Sequence, residues 1–385
     1  MPEFADRIEN IAPFRAMKVL DRANELQAAG REVIHLEVGE PDFSTPEPIV
    51  AAAQVAIAAG KTKYTPAPGI PELRQAISVQ YQKTHRLEVD PNRIFVTAGG
   101  SGALLLAMAL TIDPGAGMLM TDPGYPCNRN FVRSFDGEAQ LVPVGPEQNY
   151  QLDKNLVVQH WQDNTRAVLL ASPANPTGSV LARSEMSAIA EFVKEKSGFL
   201  IVDEIYHGLH YGESYPCSGL EFDGIVVNSF SKYYGMTGWR LGWLVVPEEA
   251  APHIEKLAQN LFICPSAISQ YAALAAFSSE SISIMEEQRL AFKQRRDLLV
   301  AGLRALNFHV PDSPEGAFYV YAGLPESTAM DSEAFCSRLL EEFGVAVTAG
   351  ADFGDYEADR HIRVSYASDL PALERALETF AKALK

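Results

Sequence analysis

Six short apolar runs, each closing on a polar or glycine-rich cluster, constrain this chain more than any other feature. They are Ile94–Thr97, Met118–Thr121, Ala167–Ala171, Phe199–Val202, Ile225–Asn228 and Gly242–Val246. Their near-continuous apolar character suits strands buried on both faces. Helical patterns lie between them, for example at Ser101–Leu110 and Glu185–Glu195. The alternation predicts an α/β fold with a largely parallel sheet. With 385 residues, two domains are expected. From Ser279 to Leu306, apolar residues recur at helical spacing and predict one long helix. It leads from a large domain into a smaller one, with a strand at Gly316–Tyr321 and helices at Ser332–Phe343 and Leu370–Ala383. No Gly/Ser/Pro-rich linker separates the two, so close packing is expected.

Charge narrows the partners. Lysines and arginines number 32 and acidic residues 49, a formal net charge of −17. Nucleic acid and anionic membranes reward basic patches, and the chain has no polybasic stripe. The longest largely apolar run, Ala103–Ile112, is too short to span a bilayer. Residues 1–10 carry no apolar core of a secretory signal. Four scattered cysteines (Cys127, Cys217, Cys264, Cys336) form neither a disulfide framework nor a metal-ligand pattern. A cytoplasmic protein without a metal centre is the expectation.

The chemistry begins just past the run that ends at Asn228. Ser229 and Ser231 flank the approach to Lys232, and Arg240 follows eight residues after the lysine. This places an amine to bond covalently to a carbonyl, with phosphate ligands on either side. Such an arrangement suits a Schiff base with pyridoxal 5'-phosphate. The same residues also fit a strand end turning into solvent with a surface lysine.

Other strand ends add partners, because ligands of open α/β sheets bind beyond the carboxyl ends of strands. Asp203 ends one run, and a buried anion there would keep a pyridine nitrogen protonated; it also fits a helix cap. Asn175, in Asn175-Pro176-Thr177-Gly178, and Tyr206 are candidates for the cofactor's phenolic oxygen, though the first segment is also an ordinary turn. Gly99-Gly100-Ser101-Gly102 runs straight into a helix, where free amides and the helix dipole favour a phosphate. It matches neither the dinucleotide fingerprint nor the Walker loop. Tyr125 could stack on a ring, or be one exposed aromatic of a turn. Arg363 lies on an alternating strand, and its planar fork suits a carboxylate.

Taken in order, these segments resemble a family. Gly39-Glu40-Pro41-Asp42-Phe43, Tyr64-Thr65-Pro66, Asp122-Pro123-Gly124-Tyr125-Pro126, Asn175-Pro176-Thr177-Gly178, Asp203-Glu204-Ile205-Tyr206, Ser231-Lys232, Thr237-Gly238-Trp239-Arg240, Gly316-Ala317-Phe318-Tyr319 and Arg363-Val364-Ser365 span nearly the whole chain. They are similar to the motifs of class I/II aminotransferases of fold type I. The resemblance implies a mostly parallel seven-stranded sheet in a large domain (46–283). It implies a smaller α+β domain built from both chain ends (1–45 and 284–385).

It also implies roles. Lys232 would carry the cofactor as a Schiff base. Asp203 would meet the pyridine nitrogen, Asn175 and Tyr206 the ring oxygen, and Tyr125 the ring face. Ser101 and Gly102 amides, Ser229 and Ser231 hydroxyls and Arg240 would hold the phosphate. Tyr64 would reach the phosphate of a neighbouring subunit in a homodimer with shared sites. Arg363, helped by the Gly39 backbone and Asn175, would clamp the carboxylate of an L-amino acid or 2-oxo acid. Amino-group transfer by a ping-pong route is the expected activity; β-elimination on the same residues is the alternative.

Substrate choice is less constrained. An aspartate-specific subgroup has a lysine after the glycine pair of the phosphate loop, where this chain has Ser101. Phe14 favours a neutral or apolar side chain, while Arg15 and Arg129 are candidate cations for a second carboxylate. Ala349-Gly350 stands where the family often has Pro-Gly.

Overall fold

A computed structural model describes residues 4–212, 215–310, 312 and 314–385. Seven strands form the main sheet: β1 Ile94–Thr97, β2 Gly117–Asp122, β3 Glu138–Pro143, β4 Thr165–Ala171, β5 Phe199–Asp203, β6 Ile225–Ser229 and β7 Gly242–Val245. Their spatial order is β1-β7-β6-β5-β4-β2-β3. Pairings are parallel except at β7, which runs antiparallel to both β1 and β6.

The apolar runs are explained by what the two faces touch. Ile94, Val96, Val168, Leu170, Leu200, Val202, Val226 and Val245 fill one core. The intervening Phe95, Leu169, Ile201, Ile225, Val227 and Leu244 fill another. Alternate side chains of a strand point to opposite faces. A strand covered by helices on both sides therefore reads as a continuous apolar run. Burying each such side chain contributes about 1.5–3 kcal/mol.

β3 is the strand the apolar runs do not announce. It lies at the sheet edge, with an exposed first and last residue, so its pattern is mixed.

The long helix spans Ser279–Ala305. Beyond it, three antiparallel strands pack as a small sheet in the order β9-β10-β8: β8 Tyr319–Gly323, β9 Thr348–Ala349 and β10 His361–Ser365. Ile34–His35 pairs in parallel with Val345–Ala346, tying the start of the chain to its last third.

The helices Ser332–Phe343 and Leu370–Ala383 have the expected bounds because their signals are local. Asp331 and Asp369 cap them, accepting from the Ala334 and Ala372 amides at 2.8 Å. The expected strand at Gly316–Tyr321 begins only at Tyr319. Ala317 sits at φ 59°, a left-handed conformation that no strand accommodates. Its amide instead donates to the Leu209 carbonyl. Among the described residues, no helix is long and apolar enough to cross a membrane.

Candidate active site

β1, β2, β4, β5 and β6 all point their carboxyl ends toward one rim, because β7 alone reverses direction. Register brings the key residues side by side. Ala171 pairs with Asp203, and Thr97 and Ser229 both pair with Gly242. The segments leaving these ends enclose a cavity of about 240 Å³. Ser101, Tyr125, Asn175, Asp203, Tyr206, Ser229, Ser231, Lys232, Arg240, Gly39 and Arg363 all line it, drawn from both sheets and the N-terminal segment.

At one end lie the groups suited to a phosphate. The helix Gly99–Thr111 starts here. Its Gly99, Gly100 and Ser101 amides precede the first intrahelical bond, which runs from the Gly102 amide to the Ala98 carbonyl at 3.3 Å. Free amides at a helix start attract anions. Gly102 differs from expectation: its amide is engaged within the helix, and Gly100 takes its place on the cavity wall.

The Ser229 and Ser231 hydroxyls lie 3.0 Å apart. Arg240, at φ 51°, arches over the loop. Its guanidinium lies where a Cβ on Gly99 would sit, 2.7 Å from Nη2. Gly242 is a requirement that sequence reasoning missed. A Cβ there would meet Gly99 and Gly100 backbone atoms at 2.7 and 2.8 Å. The loop presses directly on the neighbouring strand, and the only signal in the sequence was a glycine opening an apolar run.

Opposite this end are a buried acid and a buried amine. Asp203 accepts from the Ile205 amide at 3.1 Å. The residues after it form turns and no helix, so the cap reading does not hold. Burial raises its carboxyl to about 6. Burial lowers Lys232 to about 8, aided by the nearby Arg363 and Arg240 cations. The Lys232 ammonium donates to the Gly39 carbonyl and sits 5.7 Å from the Tyr206 and Phe318 ring centres.

Arg363 is 2% exposed, although the alternating strand fits a half-exposed arginine as well. It donates to Asn175 Oδ1 at 3.0 Å and to the Glu37 carbonyl. Its guanidinium packs 4.4 Å from the Tyr319 ring centre and 4.7 Å from that of Phe353. None of these partners is a carboxylate, and its Nε has no hydrogen-bond partner. A buried cation so placed calls for an anion from outside the chain.

Tyr319 is a second residue whose role was missed, although its motif was legible. Its hydroxyl lies 3.0 Å from that of Tyr206. A Cβ on Gly39 would come within 2.6 Å of the same oxygen. Thr237 also lines the cavity and donates to the Ser231 carbonyl at 2.8 Å.

The remaining wall is mostly apolar, with Phe14, Met17, Leu20 and Leu104, and its charged members, Glu37 and Glu40, are acidic. Phe14 meets Tyr125 edge-on, ring centres 6.2 Å apart. The two candidate cations for a second carboxylate do not line the cavity. Arg15 pairs with Glu333, and Arg129 donates to the Asp352 carbonyl at 3.0 Å. Tyr64 also stands outside it, 83% exposed.

Free amides, hydroxyls and an arginine suited to a phosphate, together with a buried acid and a buried amine on the same cavity, fit pyridoxal phosphate. The comparisons agree. The sequence matches the family described as aminotransferase class I and II over residues 31–380. A valine–pyruvate aminotransferase of Mycobacterium tuberculosis is 39% identical, with 95% of each chain covered. An aspartate/prephenate aminotransferase of Thermus thermophilus is 35% identical, with 98% of each covered. Among solved structures, an aminotransferase from Mycobacterium tuberculosis superposes with a TM-score of 0.96 at 38% identity, covering 100% of this chain and 99% of that one. The chain belongs to the class I and II aminotransferases, pyridoxal-phosphate-dependent enzymes of fold type I.

Proposed function

We propose that the protein moves the amino group of a neutral, largely apolar L-amino acid to a 2-oxo acid, with Lys232 as the residue that both carries the cofactor and moves the proton. The observation that carries the substrate reading is the cavity wall. It offers Phe14, Met17, Leu20 and Leu104, while Arg15 and Arg129 are engaged elsewhere. A dicarboxylate would leave its second charge against apolar surface, at a cost of several kcal/mol. The similar Mycobacterium tuberculosis protein that is named for valine and pyruvate supports this reading.

Bound pyridoxal phosphate supplies an electron sink for the negative charge left when the α-proton departs. The chain's residues supply the rest. Asp203 would hold a proton on the ring nitrogen of the bound cofactor, as a buried anion in a low dielectric. Asn175 and Tyr206 would hold the ring oxygen, and Tyr125 would pack on the ring. The Gly100 and Ser101 amides, with Gly102 behind them, and Ser229, Ser231 and Arg240 anchor the phosphate. Arg363 would take the α-carboxylate through its unpartnered Nε and the remaining N–H groups of its terminal nitrogens, positioned by Asn175 and Tyr319.

Lys232 Nζ, neutral above about pH 8, would accept the α-proton and deliver it two atoms along, across the nitrogen, to the cofactor's carbonyl-derived carbon. A general base must be unprotonated to act, which the neighbouring cations favour. The 2-oxo product leaves before the second oxo acid enters, a ping-pong order. Tyr64 belongs, in this reading, to the phosphate site of a second copy of the chain. Its 83% exposure and the exposed Val55 and Ile57 support that placement.

The test is a panel of amino acids added singly to the purified holoenzyme, following the cofactor's visible band. Valine-like donors are expected to shift the band at lower concentration than aspartate. Preference for aspartate would overturn the substrate reading. Release of ammonia and pyruvate in place of amino transfer would favour β-elimination.

A further inference from the structure

The turn after β5 has two sides. Asp203 and Tyr206 face the cofactor cavity, while His207 lines a second cavity of about 350 Å³ and Glu204, fully buried, stands next to His207. His85, the last residue of the helix Pro71–His85, reaches the same place. One ligand atom from each of His85, Glu204 and His207 lies within 4.8 Å of the others.

Three features of this cluster are unusual for packing alone. Glu204 is fully buried, yet only Oε1 is satisfied, by the Ser218 hydroxyl at 2.8 Å and the Gly219 amide at 2.7 Å. Oε2 has no hydrogen-bond partner and stands 3.4 Å from His207 Nδ1. Neither ring nitrogen of His207, 6% exposed, makes a well-formed hydrogen bond, its polar contacts being Glu204 Oε2 and the Ser172 backbone. Each such buried group left unmade is costly, and here they converge on one point.

We propose that His85, Glu204 and His207 bind a divalent transition-metal ion of the zinc type. Two imidazole nitrogens and one carboxylate oxygen are an ordinary zinc set that leaves a fourth position open. His85 and His207 line the second cavity together with His210 and Tyr215, so a fourth ligand would enter from there. Ser218 and Gly219 already hold the far oxygen of Glu204, the kind of outer support that orients metal ligands. The His85 and His207 rings lie 5.3 Å apart, so a swing of the partly exposed His85 closes the set.

The sequence hides this site because His85 is remote in the chain from Glu204 and His207. The ion would brace the Pro71–His85 helix against the turn that carries Asp203 and Tyr206. It would take no part in the chemistry.

The experiment strips the holoenzyme with chelator, equilibrates it with zinc chloride, and counts metal per chain by elemental analysis. Competition with a chromophoric chelator gives the affinity. One zinc per chain is expected, with affinity falling in His85→Gln by at least the ~10- to 100-fold that loss of an outer-shell partner costs and the cofactor band unchanged. Circular dichroism of His85→Gln checks its fold, and Glu204→Gln should reproduce the loss. Zinc that fails to bind, binds equally to His85→Gln, or perturbs the cofactor band would overturn the proposal.

Discussion

The two cavities that share the Asp203–His207 turn are built on opposite principles. The cofactor cavity gathers charges of both signs, Lys232, Arg240 and Arg363 against Asp203, that lack a full set of partners within the chain. The second cavity gathers aromatic and imidazole rings, with Glu204 buried next to His207, and the charges on its wall, Arg289 and Glu286, pair with each other. In the first, burial shifts Lys232 toward its neutral amine and so readies it for proton handling, while Asp203, raised to about 6, stays a buried anion at neutral pH. In the second, burial leaves neutral donor atoms without hydrogen bonds. One turn thus serves chemistry on one face and bracing on the other. Which face a residue takes is decided by its position along the turn.

The comparison breaks most sharply at Lys232. Lys232→Ala should lower amino transfer by about 10³-fold or more while leaving the circular dichroism spectrum intact. Substantial residual transfer would remove the lysine from its role.

Asp203→Asn keeps the shape and removes the charge. A fall of about 10²-fold in kcat is expected, in line with losing one preorganised electrostatic partner. Glu204→Gln, one residue along, should leave kcat nearly unchanged.

Arg363→Lys retains the charge and loses the fork. The expected loss is about 10- to 100-fold in kcat/KM, seen chiefly in KM, because a forked charge-assisted contact is worth roughly 1.5–3 kcal/mol. A change confined to kcat would instead point to a role in the proton step.

The pH dependence sharpens the electrostatic half. Burial and two cations disfavour the Lys232 ammonium, so its amine is neutral above about pH 8. Capture of pyridoxal phosphate by the cofactor-free protein should therefore accelerate as pH rises through about 8. In Arg363→Gln one of those cations is gone, and the midpoint should move upward, toward the ordinary 10.5. A wild-type midpoint already near 10.5 would contradict the burial account. The smallest effect belongs to the second cavity: His85→Gln should leave kcat within about twofold, the behaviour of a change remote from the chemistry.

Much of this was legible in sequence because the signals are local. Buried strands show as apolar runs, and the caps Asp331 and Asp369 show as acidic residues ahead of helices. The cofactor residues follow strand ends, so order along the chain already implied one rim. What stayed hidden depends on contacts between distant segments. Gly242 is required by the loop pressing on it, and Tyr319 acts through Tyr206 and Arg363. Arg15 carries a charge that the sequence offers to a substrate, whereas Glu333 takes it. The edge strand Glu138–Pro143 has no continuous run because only its inner positions are covered.

The most direct test of the central claim is chemical. Reducing the holoenzyme with borohydride, digesting it and mapping the peptides by mass spectrometry locates the covalent link. The account predicts loss of the visible band and a pyridoxyl phosphate addition on the peptide containing Lys232 alone. An addition on another lysine, or none, would contradict it.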